Sequence, residues 1–151
     1  AVYAGTPVGL FAGRRAPSAI GSSAVPTEME RVESRGGSIR ALAATDTLLL
    51  VVVDTGLEVF DRRTGAWNLP GTEEGRVGEP FALAVDPDGN VWIGTARGLS
   101  RWRPETGEWD EWTPADGLAG VPVLHILAED GVVWASTPAG ASRFAWREAR
   151  R

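Results

Sequence analysis

The sequence predicts an all-β fold, a β-propeller of about four blade equivalents, and three observations carry that reading. A unit of 42 residues repeats without a gap: the register of segment 39–56 holds at 81–98 and again at 123–140, with glycines at Gly56, Gly98 and Gly140. Each copy is made of short apolar runs, the longest being 48–53, which is strand-sized and too short for a core helix. Between the first two runs of a copy stand turn residues, Asp88-Gly89 and Asp130-Gly131 among them, the strongest short hairpin signal. A period of this length built from short strands marks one propeller blade per repeat.

The elements follow in order along each unit. Strand A, the innermost, is expected at 39–44, 81–85 and 123–128. Tight turns at 45–47, 86–90 and 129–131 lead into strand B at 48–53, 91–95 and 132–137. A glycine-containing turn opens strand C at 56–61, 98–103 and 140–146, and Thr-Gly turns lead to strand D at 66–69 and 108–113. The opening segment supplies a partial copy, with Gly9 in the glycine role. Its strands are B at 2–6, C at 9–14 and D at 28–33, and an irregular, exposed loop is expected at 16–24. The blades therefore run about 1–34 (partial), 35–76, 77–118 and 119–151 (partial), one domain of 14 strands. Strand A is missing from the first and strand D from the last. Each bare strand edge and each uncovered sheet face needs a neighbour.

The composition, 43% hydrophobic and 23% charged over 151 residues, is that of a folded globular chain. A net charge of −5 argues against non-specific nucleic-acid binding, which needs clustered cations. No apolar stretch approaches the 18 residues of a membrane-spanning helix. With no cysteine, disulfides, thiol chemistry and cysteine-based metal sites are excluded. All fifteen basic residues are arginine, a bias that reads as genomic. A start at Ala1 without Met reads as a processed or trimmed chain.

Asp86-Pro-Asp-Gly-Asn-Val-Trp-Ile-Gly-Thr-Ala-Arg-Gly-Leu99 resembles the two-component regulator propeller repeat, with its Asp-x-Asp-Gly-Asn turn, apolar-Trp-apolar-Gly-Thr strand and Gly-Leu step. Segment 129–140 is a looser copy, and 48–60 keeps Gly56-Leu57 but has Leu50 in the Trp position. The resemblance implies a propeller fold. It also implies a bacterial sensor outside the cytoplasmic membrane, periplasmic or on the cell surface, where such repeats form longer arrays fused to signalling domains.

No catalytic constellation stands out, and neither a metal nor another cofactor is expected. Asp86–Asn90 lacks the closing glutamate of a calcium loop and reads as a hairpin turn. His125 is the only histidine; counting back by 42 and 84 gives Leu83 and Ala41, so it reads as a packed, partly buried strand residue. A streptogramin-lyase-like propeller enzyme would need more histidine and acidic material than one histidine provides. Recurring aromatics (Trp92 with Trp134; Phe60, Trp102 and Phe144; Trp67 with Trp109) read as packing between blades. Trp146 falls outside that pattern and, with Tyr3 and Trp134, marks candidate contact edges. The basic end 147–151 reads as solvated or as a contact to an acidic partner.

In a blade the B–C and D–A loops share one rim. The D–A loops here are long and charged, so any ligand or partner is expected on that rim. The candidates are Arg35, Asp54, Glu73, Arg76, Glu79, Arg97 and Asp116. The function expected is a non-enzymatic interaction module: an extracytoplasmic accessory subunit of a larger assembly, or half of a homodimeric ring joined through the terminal blades. The alternative is a ligand-sensing fragment of a two-component-type receptor.

Overall fold

The computed structural model describes residues 2–13, 29–32, 37–70 and 78–147. These form 14 strands in four antiparallel sheets, with one short 3-10 helix at Pro114–Asp116. The first blade holds β1 (Val2–Thr6), β2 (Gly9–Gly13) and β3 (Met29–Val32). The second holds β4 (Ile39–Ala44), β5 (Leu48–Val53), β6 (Gly56–Asp61) and β7 (Trp67–Asn68). The third holds β8 (Pro80–Val85), β9 (Val91–Thr95), β10 (Leu99–Trp102) and β11 (Trp109–Trp112); the fourth holds β12 (His125–Glu129), β13 (Val132–Thr137) and β14 (Gly140–Phe144). The expected 16–24 loop lies outside the described residues.

The strands alternate two faces, and in each blade one face leads towards the preceding blade and the other trails towards the next. Three apolar clusters fill the three interfaces. Leu49, Val51 and Val53 on the leading face of the second blade pack with Tyr3, Leu10 and Val32 of the first. Leu50, Val52, Leu57 and Val59 on its trailing face meet Val91, Ile93 and Trp102. Trp92 and Leu99 on the trailing face of the third blade meet Val133, Ala135 and Phe144. Inner strands β1, β4, β8 and β12 follow one another, but β1 and β12 do not come together to the same extent, so the sheets form an open arc.

Short polar motifs set the hairpins. Asp86 is buried and accepts from the backbone N–H of Asp88 and Asn90, from Asn90 Nδ2, and from Trp92 Nε1 at 2.9 Å. One carboxylate thus ties the A–B turn to the largest buried ring. Thr6, Thr95 and Thr137 each donate a hydroxyl to the carbonyl of the glycine three residues on and accept a turn N–H in return. Gly94 is small because the next blade's entry strand crosses there: an added Cβ would lie 2.5 Å from the Val123 carbonyl oxygen.

Two expectations change. Val85 pairs with Val91 across five residues, whereas Ala128 pairs with Val133 across four. A one-residue difference in turn length moves a strand's side chains to the opposite face. His125 therefore matches Ala82, not Leu83: each pairs with the residue at the Gly94/Ser136 position. It sits exposed on the trailing face of the last blade rather than packed. Trp146 is not an open edge residue either. Strand β14 ends at Phe144, and the chain turns so that the Trp146 ring, 8% exposed, packs 6.1 Å from Trp92. Arg147 clasps the same pair of blades through Asp88 and, at 2.5 Å, through Asp130.

Candidate functional site: the long-loop rim

The residues that enter the inner strands, 37–38 and 78–79, meet the B–C turns on one rim. Ser38 N–H donates to Asp54 Oδ2 at 3.2 Å, joining the loop before β4 to the β5–β6 turn. Ala96 N–H donates to the Glu79 carbonyl at 3.1 Å, repeating that junction one blade on. Between these junctions, where the second and third blades diverge, lies a cleft of ≈ 320 Å³ lined by Arg40, Asp54, Glu79, Pro80 and Phe81.

The local backbone explains the cleft. Strand register shifts between Ile39 and Ala41 and, one repeat later, between Pro80 and Ala82. Arg40 and Phe81 are thus the bulged residues of equivalent strands, and bulges re-aim side chains at the ends of sheets. Glu79 holds φ +43, the one non-glycine with positive φ among the described residues, immediately before Pro80. Arg40 Nε donates to Asp54 Oδ1 at 2.6 Å. That hydrogen bond, with the one from Ser38 N–H, holds the Asp54 carboxyl below the ordinary carboxylate value. The cleft therefore offers an ionised carboxylate bound to a guanidinium, a second carboxylate and one aromatic edge. Such a surface can exchange hydrogen bonds and ion pairs with a polar partner, and it holds no nucleophile–base pair.

The rim candidates do not form a single site. Asp54 and Glu79 share the cleft. Arg97 lies beside Gly78 and lines a shallower groove with Thr95, Ser100, Glu111 and Trp112. Asp116 caps its own turn, accepting from Thr113 N–H and Oγ1 at 2.9 Å, and stands in a small hollow with Leu118, Ser142 and Phe144. Its carboxyl is lowered by the Thr113 backbone bond first. Arg35, Glu73 and Arg76 lie outside the described residues. Arg40 was not among the candidates. A lone arginine in an otherwise apolar inner strand was the available signal, because its 42-residue counterpart is Ala82. Among the described residues no group of three His, Asp or Glu side chains could hold a metal ion, and no helix is long and apolar enough to cross a membrane.

Comparison with known proteins agrees on the repeat and the fold. The two component regulator propeller family model matches residues 76–97, the turn and strands where the resemblance is strongest. No curated protein matches in sequence. Among solved structures, the extracellular domain of a hybrid two component system from B. thetaiotaomicron superposes with a TM-score of 0.72 at 19% identity, over 94% of this chain and 18% of its own. The corresponding domain of a second such system from B. thetaiotaomicron gives 0.70 at 15% identity, over 97% and 22%. A computationally designed protein, Ika4, gives 0.54 at 19% identity, over 72% and 66%. The chain spans about a fifth of the length of those B. thetaiotaomicron domains. The class defined here is a β-propeller arc in which residues 76–97 match the two component regulator propeller model.

Proposed function

We propose that the chain is a non-enzymatic propeller module for interaction outside the cytoplasm, an accessory subunit that meets its partner on the long-loop rim. The carrying observation is the inter-blade cleft. Two bulged residues, a strained Glu79 and a fixed Arg40–Asp54 pair converge there on a rigid scaffold, the arrangement in which binding surfaces are commonly built. The extracellular setting is supported by the likeness to extracellular domains of two component systems.

A second reading has its own support. The chain superposes over 94% of its length on part of a sensor-system domain, so it fits a ligand-sensing segment of a longer propeller equally well in shape. In either reading the rim does the recognising. The test is recovery of a partner from the envelope fraction of the source cells by purified chain, compared with the Asp54→Ala/Glu79→Ala double variant. Loss of recovery in the double variant, with the β-fold retained by circular dichroism, is the expected result. Equal recovery by both would move recognition off this cleft.

A further inference from the structure

The cleft between the second and third blades carries an excess of negative charge. Its charged lining residues are two carboxylates, Asp54 and Glu79, and one guanidinium, Arg40. Arg40 is already engaged, since its Nε donates to Asp54 Oδ1. Among the described residues no cation pairs with the Glu79 carboxylate. Glu79 is exposed, and its main chain is pinned: its carbonyl accepts from Ala96 N–H and its φ is +43 ahead of Pro80. Asp54 is ionised at neutral pH, because Arg40 and then Ser38 hold its carboxyl below the ordinary value. The cleft is left with one carboxylate that nothing neutralises, at a fixed place on a rigid rim.

Apolar side chains continue from that carboxylate along the inner strands, where β4 neighbours β8 and β8 neighbours β12. Leu124 stands directly before His125, which pairs with Ser136 as Ala82 pairs with Gly94. Leu124 thus takes in the fourth blade the place of Phe81 in the third and Arg40 in the second. Phe81 is half-buried and lines the cleft, and Leu124 and Val121 are exposed on the next entry segment. A carboxylate beside an aromatic ring suits a cation, which the ring attracts by its negative face. The aliphatic stem of a lysine or arginine covers apolar surface while its head stays in a polar place. Among the described residues no three acidic groups converge to cage a metal ion instead.

We infer that the cleft takes a basic side chain of a protein partner: an arginine or lysine whose charge meets Glu79 and Asp54, whose stem lies on Phe81, and whose apolar neighbour reaches Leu124. The inference deepens the rim reading and rests on it. An acidic ligand would gain only Arg40. It would have to draw Arg40 from Asp54, leaving that carboxylate and Glu79 both unpaired. The net charge of −5 on the whole chain favours the same sign of partner.

The experiment is an NMR titration of the purified chain at low salt with synthetic pentapeptides that differ only in a central arginine, glutamine or glutamate between two leucines. The arginine peptide should shift the amides of Glu79 and Phe81, bind about tenfold more tightly than the glutamate peptide, and weaken as salt is added. Glu79→Gln should weaken it about two- to fivefold. Arg40→Gln, which frees Asp54, should strengthen it. Both variants leave the fold to be checked by the same spectra. Equal binding of all three peptides, binding of none, a preference for glutamate, or weaker binding of the arginine peptide to Arg40→Gln overturns the inference. The two readings fail separately. Partner recovery that depends on Asp54 and Glu79, without a preference for the arginine peptide, keeps the rim and overturns the basic side chain. Recovery indifferent to both carboxylates overturns the rim reading itself.

Discussion

At the scale of single residues, the repeat motif is explained by hydrogen-bond geometry and close approach. Asp86 accepts four donors, one from the indole of a fully buried tryptophan. Asp86→Ala should therefore leave a buried Nε1–H orphaned and cost about 1–3 kcal/mol, read from denaturant unfolding. Gly98 is held twice over: its φ is +155, and a Cβ would stand 2.1 Å from the Trp112 carbonyl oxygen. Asp54 gives a pH prediction. Its folded value is lowered from 3.8 by Arg40 and then Ser38, so it binds protons less readily folded than unfolded. Its contribution is present above the ordinary value and is lost as pH falls through the lowered one. Wild type should lose rim order in acid below about pH 4, detectable as faster hydrogen exchange at 38–40, and Asp54→Asn should show no such step. Much of this scale was legible in advance, because turn residues announce themselves by type. Arg40 was legible only as a lone arginine in an apolar run; that it sits at a bulge and reaches Asp54 is a feature of pairing between strands.

At the scale of the blade, the sequence located strands B and C well. Strand B faces both neighbours and reads as a near-continuous apolar run, and strand C is marked by the glycine that opens it. Strand D was less legible: 66–69 shortens to Trp67–Asn68, where only Trp67 packs inward. The fourth A–B hairpin defeated simple counting, since a turn shorter by one residue moved His125 to the other face. Trp146 defeated it for another reason. Its counterparts are Arg62 and Pro104, so the repeat carried no hint that the chain turns back to cover Trp92. The repeat does yield a sharp comparison. Trp92→Ala removes a ring with no exposure and should cost about 3–5 kcal/mol, whereas Trp134→Ala at the same repeat position should cost under about 1 kcal/mol to an isolated chain. Equal costs would mean that the last blade's trailing face is covered in the free chain. Asp110→Ala should also be costly. It strips the partner from a guanidinium that is 4% exposed and boxed by tryptophans, a loss of about 3–5 kcal/mol.

At the scale of the whole molecule, stability passes from blade to blade through three apolar interfaces, as in other repeat architectures. The surface left for function is the rim, where segments from adjacent blades converge. The rim was expected from the sequence, with Asp54 and Glu79 among its candidates; that these two share one cleft was not. Asp54 and Glu79 lie 25 positions apart and line one cleft, because the start of the third blade's bulged strand lies beside the second blade's. Recognition by the rim is the central claim, and site-specific photocrosslinking in the cells that make the protein tests it most directly. A benzophenone amino acid is placed at Glu79 in one variant and at Asp46, in the exposed A–B turn of the opposite rim, in another. The account predicts a discrete protein or ligand adduct at position 79 and none at 46. Adducts at 46 alone, or at neither position while the chain still enters a larger assembly, would contradict it.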